Sequence, residues 1–255
     1  MLRYCLVMPP RIFVCIPSYK RPDALETLLS QLSNQDGSEP FEVFVLNDGG
    51  DPRSEKVLAR AENNRYVLNW RSTDEPSGLP SARNKIIDWI AGRAECTPSL
   101  IVFLDDDCEV DGRFIEQVSI AARSYDAFCF RITTIGQSGI VNTLRNPWVR
   151  RILAPFIGRA WTRIGFIRGG YFQELMHPMQ ADHLPGGCLI YRFDKYPRLR
   201  FDEVLNEGNA ILEDTDFSCA LRQAGAQLWY IGSYGIIHRP PSTGGVRVDV
   251  PRDKF

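Results

Sequence analysis

The residues most able to do chemistry in this chain are carboxylates that stand side by side. Asp105, Asp106 and Asp107 follow directly on the apolar run Leu100-Ile101-Val102-Phe103-Leu104. Three adjacent carboxylates repel one another unless a cation or a proton relieves them. Two readings are open. The triplet can be a polar turn leading into the next helix, with Asp111 as its N-cap. It can equally be a hard-cation site, because carboxylate oxygens suit Mg²⁺ or Mn²⁺. In an extended segment only every second side chain points the same way, so Asp105 and Asp107 are better partners than direct neighbours. A second acidic group, Glu213, Asp214 and Asp216, opens a segment that Gly225 closes. Acids in that place favour the positive end of a helix dipole.

The elements that must position these groups follow from the apolar pattern. Residues 100–104 are apolar throughout and include two β-branched side chains, which predicts a strand buried on both faces of a parallel sheet. Its carboxyl end then carries the Asp triplet, at the edge where open α/β sheets bind ligands. A similar strand is expected before Pro17. It is followed by a helix that starts at Pro22 and Asp23 and buries Leu25, Leu28, Leu29 and Leu32. Further strands are expected at 41–46, 66–70, 127–133, 184–192, 227–231 and 234–238, with helices at 54–62, 79–91, 112–123 and 213–225. Strand and helix alternate at βαβ spacing, so the fold class is α/β: a mostly parallel central sheet flanked by helices, Rossmann-like. Residues 135–182 break the pattern and mix tryptophans with arginines. Residues 239–255 read as a loop-like tail. One domain over 1–255 is expected, with a nucleotide-binding half at 1–134 and an acceptor half at 135–255.

A formal net charge of −1 over 255 residues gives no reason to expect nucleic acid as a partner. Seven cysteines, odd in number and without a C-x-x-C pair, argue against a zinc knuckle or a disulfide scaffold and suit a reducing cytoplasm. The apolar stretch 1–10 is too short for a signal peptide or a membrane span.

Several separated motifs occur in an order that resembles the family 2 glycosyltransferases with the A-type nucleotide-diphospho-sugar transferase fold. They are Ile16-Pro17-Ser18-Tyr19-Lys20-Arg21, Val45-Leu46-Asn47-Asp48-Gly49-Gly50-Asp51, Gly78-Leu79-Pro80-Ser81-Ala82-Arg83-Asn84, Phe103 through the Asp triplet, Gly186-Gly187-Cys188, Glu213-Asp214-Thr215-Asp216 and the late His238. The resemblance spans roughly residues 11–240 and is poorest in the middle third. It implies an inverting transfer from a nucleoside-diphosphate sugar, UDP first among the candidates, to a hydroxyl acceptor. Pro17, Tyr19 and Arg21 would wall the nucleoside pocket. Asn47 and Asp48 would meet base and ribose, although the family often has two acids there. Arg83 would reach base or phosphate; a solvated helix arginine is the plainer reading. Asp105 would bind ribose or sugar, with Asp106 beside it supporting the turn or facing away. Asp107 and His238 would hold Mn²⁺ or Mg²⁺, which offsets charge on the departing diphosphate. Gly187 would let backbone approach the sugar, Glu213 would bind the acceptor, and Asp214 would be the general base.

Residues 142–172 interleave apolar, aromatic and cationic side chains, a composition suited to an anionic membrane surface or a lipid-linked acceptor. The expected location is therefore the cytoplasm or the inner face of a membrane. Arg239 and Arg247 could close over the diphosphate as a lid. Two rivals are a sugar-1-phosphate nucleotidyltransferase and a non-catalytic carbohydrate-binding relative. The first should carry a glycine-rich loop after the first strand, and residues 16–21 contain no glycine. The second sits poorly with two acidic motifs kept together. His177 and His183 receive no role.

Overall fold

The computed structural model describes residues 11–61, 63–93, 100–135, 174–206 and 212–240. Four strands, β1 (Ile12–Ser18), β2 (Phe41–Asn47), β3 (Val67–Ser72) and β4 (Leu100–Leu104), pair in parallel in the order β3-β2-β1-β4. Helices α1 (Pro22–Ser33), α2 (Pro52–Arg60) and α3 (Leu79–Ala91) make the crossovers. Each begins with Pro in its first turn, where the missing N–H has no intrahelical partner to lose. Asp51 caps α2 by accepting from the Ser54 N–H at 3.0 Å.

Alternation along each strand sends side chains to two cores. From β1, Ile12, Val14 and Ile16 join Leu25, Leu28 and Leu32 of α1, while Phe13 and Cys15 join Ile86, Ile87 and Ile90 of α3. All five residues of β4 are fully buried, as an interior parallel strand requires. Ser18 lies opposite Asn47, and β1 and β4 run in register, so the carboxyl ends of all three strands open on one edge.

Beyond β4 come β5 (Cys108–Glu109), α4 (Phe114–Ala121), β6 (Ala127–Thr134), β7 (Met179–Ala181), β8 (Cys188–Arg192), α5 (Glu213–Gln223) and β9 (Leu228–His238). Strand β8 inserts antiparallel between β4 and β6 and carries the sheet on to β9 and β5.

Four expectations need correction. The two strands foreseen at 227–231 and 234–238 are one, β9, with a bulge: Phe130 pairs with Ile231 and the next residue, Arg131, with Gly235. Tyr234, in the bulge, packs on Phe114 and Phe130. Strand β7 lies inside the stretch read as irregular. Asp111 does not cap α4, which starts at Phe114; its Oδ1 accepts from the Arg113 N–H at 2.9 Å and the Tyr234 hydroxyl at 2.6 Å. The two-residue β5 was not foreseen at all, and it pairs Cys108 with His238. Gly49 and Gly50 take φ of 83° and 61°, the left-handed region that glycine enters without steric cost. Among the described residues no helix is long and apolar enough to cross a membrane. The basic-aromatic segment 142–172 and Arg247 lie outside the described residues.

Candidate active site

A cleft of about 520 Å³ opens at the carboxyl edge of the sheet. It brings together Pro17, Tyr19, Arg21, Asp48, the three aspartates of the triplet and His238, with Pro76, Gly78 and Leu79 forming further wall. The Tyr19 ring lies so close to Gly49 that a Cβ there would stand 3.2 Å from it. The turn glycine thus serves the wall as well as the backbone.

Asp106 and Asp107 are both buried and share one cation. Arg21 Nη1 donates to Asp106 Oδ1 at 2.9 Å and to Asp107 Oδ2 at 2.7 Å. Ser18 Oγ also donates to Asp106 Oδ2 at 2.7 Å, so Asp106 braces the turn against the end of β1. Burial pushes the Asp106 carboxyl up to about 6, against Arg21 and Ser18. Burial also works against the Asp107 charge, yet His238 and Arg21 hold that carboxyl below its ordinary value. His238 is the mirror case: burial opposes its charge, and Asp107 and Asp105 raise its pKa.

Asp107 Oδ1 is buried without a hydrogen bond, and His238 Nε2 stands 3.1 Å from it. A carboxylate oxygen and an imidazole nitrogen aimed at each other are a donor pair that fits a divalent cation. No larger cluster of metal-binding side chains occurs among the described residues. Two protein ligands, with phosphate oxygens and water completing the shell, is the usual pattern for a cation that travels with a nucleotide.

Asn47 departs from its expected role. It is fully buried, and its amide is used inside the turn: Nδ2 donates to Asp51 O at 3.1 Å and Ser72 Oγ at 3.0 Å, and Oδ1 accepts from the Asp51 N–H at 3.2 Å. Asp48 lines the cleft but also ties down the opposite wall. It accepts from Ser77 N and Oγ at 2.8 and 2.7 Å, from the Gly78 N–H at 3.1 Å and from Thr73 Oγ1 at 3.1 Å.

Arg83 is 1% exposed, neither solvated nor lining the cleft. Its Nη1 donates to Glu213 Oε1 at 2.7 Å, and its Nη2 to Asp105 Oδ1 and the Gly186 carbonyl, each at 3.1 Å. Burial opposes its charge, but Asp105 and Glu213 raise its pKa. Glu213, expected to meet the acceptor, is buried against this guanidinium, and burial pushes its carboxyl up. A Cβ on Gly186 would lie 2.7 Å from Arg83 Nη2, whereas one on Gly187 would meet Asp105 Oδ2 at an ordinary 3.5 Å. The glycine demanded by the protein's own packing is therefore Gly186. Neighbouring side chains of α3 do similar work: Asn84 exchanges hydrogen bonds with the Phe201 backbone, and Ser81 with Asn206.

Asp214 sits beyond that cation, at the start of α5. Its Oδ2 accepts from the Gly186 N–H at 3.0 Å, and His183 Nε2 is 3.2 Å away. Burial would raise this carboxyl, but His183, the Gly186 amide and Arg83 hold it below its ordinary value. His183 is the residue the sequence reading passed over. The signal that could have found it is the polar stripe Asp214, Ser218, Arg222 at i, i+4, i+8, one face of a helix that a polar partner must meet. Arg239, proposed as part of a lid, pairs with Glu109 at 2.5 Å. Tyr230 is core, and Trp229 packs on Tyr125 at 4.9 Å between ring centres.

Residues 13–199 match the family described as Glycosyl transferase family 2. The chain belongs to that family. This family 2 member is 27% identical over 179 residues to the O-antigen biosynthesis protein RfbC of Myxococcus xanthus, across 64% of the chain and 13% of RfbC. Among solved structures it resembles S. aureus TarS 1–349 in complex with UDP-GlcNAc, at a TM-score of 0.63 and 13% identity, covering 91% of the chain and 59% of TarS. It also resembles the mannosyltransferase PcManGT from Pyrobaculum calidifontis in complex with GDP-Man and Mn²⁺, at 0.61 and 14%, covering 92% and 59%. At these identities the structural likeness shows the fold. The family 2 chain spans only part of the length of each of these relatives.

Proposed function

We propose that this family 2 chain transfers a sugar from a nucleoside-diphosphate sugar to a hydroxyl acceptor, with inversion at the anomeric carbon and Asp214 as general base. The observation that carries the reading is the buried chain Asp105–Arg83–Glu213, which joins the floor of the cleft to the helix start bearing Asp214. Pro17, Tyr19 and Leu79 offer apolar surface for a nucleobase, and Asp48 an acceptor at the same wall. Asp105, 28% exposed at its side chain, is the member of the triplet best able to meet ribose or sugar. Asp107 and His238 would hold a divalent cation, which when bound offsets the negative charge gathering on the departing diphosphate.

The reaction balances without a covalent intermediate. The acceptor oxygen gives its proton to the Asp214 carboxylate as its bond to the anomeric carbon forms. The bond from that carbon to the diphosphate oxygen breaks, and its electron pair leaves with the nucleoside diphosphate. A base whose carboxyl lies below the ordinary range is ionised and ready at neutral pH. Arg21, Arg83 and Asp106 act as the frame that holds these groups apart and oriented. TarS with UDP-GlcNAc and PcManGT with GDP-Man and Mn²⁺ support a nucleotide-sugar donor and a divalent cation. The likeness to RfbC, an O-antigen biosynthesis protein, supports a cell-envelope polysaccharide as the product.

Turnover of UDP- and GDP-sugars with Mn²⁺ or Mg²⁺ tests the reading. Asp107→Ala should lose cation-dependent donor binding, and Asp214→Asn should bind donor while transferring no sugar. An Asp214→Asn variant that transfers at the native rate would refute it.

A further inference from the structure

We propose that His183 is a positioning residue for Asp214: it fixes one carboxylate oxygen, Oδ2, and so makes the other, Oδ1, the atom presented to the acceptor hydroxyl. The inference rests on the reading of Asp214 as the general base.

The segment 182–186 runs along one stripe of α5 and meets it at every turn. Asp182 Oδ1 lies 3.8 Å from Arg222 Nη1. The Leu184 N–H donates to Ser218 Oγ at 2.9 Å, and that hydroxyl donates to the Asp214 carbonyl at 2.7 Å. The Gly186 N–H reaches Asp214 Oδ2 at 3.0 Å, and His183 Nε2 stands 3.2 Å from the same atom. The 182–186 stretch thus holds Oδ2 of Asp214 directly, through the Gly186 N–H, and is tied to the Asp214 carbonyl through the Ser218 hydroxyl. Leu184, fully buried, anchors that stretch in the core, and His183 itself is 7% exposed.

Oδ1 is left differently. The Thr215 hydroxyl stands 3.4 Å from it, too long for a strong O–H···O bond. With the Gly186 N–H donating to Oδ2 and the His183 ring standing against the same oxygen, the carboxylate plane is set, and the second oxygen keeps its lone pairs for an incoming proton. The other charged groups facing Asp214 are Arg83 from α3 and Glu213 from its own helix, and these two are bound to each other at 2.7 Å. Removing His183 leaves that pair in place, so a change at Asp214 reports on the imidazole. The depressed Asp214 carboxyl, to which His183 contributes, is in keeping with this.

His183→Ala and His183→Gln, assayed on the full chain with saturating donor and Mn²⁺, test the proposal. His183→Ala should lower kcat by up to about 100-fold, the scale of a small misplacement of a reacting group. Donor KM should stay within about twofold. The acid limb of the kcat–pH profile should move to higher pH, and His183→Gln, which keeps an N–H donor, should recover part of kcat. A folded His183→Gln or His183→Ala variant with native kcat and an unmoved acid limb overturns the proposal, as does a loss confined to donor KM. If His183→Ala fails to fold, the Gln variant decides alone by the same criteria. Asp214→Asn separates the premise: if it transfers sugar normally, the general-base reading falls and this inference with it. If it is inactive while the His183 variants are native-like, this inference alone falls.

Discussion

His238 Nε2 stands 3.1 Å from Asp107 Oδ1 because β5 and β9 pair antiparallel, with Cys108 opposite His238. The Arg239 N–H also donates to the Asp107 carbonyl at 2.9 Å, closing the chain around the pair. Two groups remote in sequence are therefore held together by a strand two residues long.

A cation bound there must displace the proton on His238, because only the neutral ring ligates. Asp107 is held below its ordinary value and stays ionised, so His238 sets the pH dependence. Its pKa is raised, so the proton competes to a higher pH than for an ordinary imidazole at about 6.5. Mn²⁺ affinity, followed by paramagnetic resonance with UDP present, should climb with pH through and above that value. His238→Ala should bind more weakly and with a flatter profile. An affinity that is level with pH in the native chain contradicts the assignment.

Arg83 and Glu213 are buried partners, and Glu213 without Arg83 is a buried carboxylate that has lost its paired cation. Arg83→Met should cost about 3–5 kcal/mol in urea unfolding. Most of that should return in the double variant with Glu213→Gln, since Asp105 is open enough to regain water. Strictly additive losses would mean that the two side chains do not act as a pair.

Gly186 and Gly187 should part company on substitution. Alanine at Gly186 drives a methyl to 2.7 Å from Arg83 Nη2 and 3.1 Å from Glu213 Oε1, and overpacking of this kind costs about 1–3 kcal/mol. Alanine at Gly187 meets only ordinary contacts at 3.5 Å and beyond, so the fold should keep its native melting temperature. Its methyl points at Asp105 Oδ2, and the effect expected is weaker donor binding. Equal destabilisation of both variants would count against the close approach at Gly186.

Tyr234 offers a control away from the cleft. Its hydroxyl donates to Asp111 Oδ1 at 2.6 Å from within the β9 bulge. Tyr234→Phe should lose about 1.5–3 kcal/mol, the range for a hydrogen bond to a charged group. Activity per folded molecule should be unchanged. A specific drop in kcat would show that the bulge shapes the site more directly than its contacts suggest.

What the sequence by itself determined is local. Unbroken apolar runs at 12–16, 43–46 and 100–104 read as interior strands, and the polar residues that follow them must emerge on the same edge of a parallel sheet. The Asp triplet and the Gly49-Gly50 turn were legible for that reason, and the acidic start of α5 because acids favour the positive end of a helix dipole. Tertiary structure decided which polar groups are already used. Asn47 and Arg83 look like ligands in one dimension, yet turn and core consume their hydrogen-bonding groups. Cys108 and Glu109 carry no strand pattern, so the pairing that brings His238 to Asp107 had no local sign. His183 lies in a short polar stretch without periodicity, and its meaning comes only from the helix face it meets. Burial and partnership are properties of the folded chain, and they separate the residues that frame this site from those free to touch a substrate.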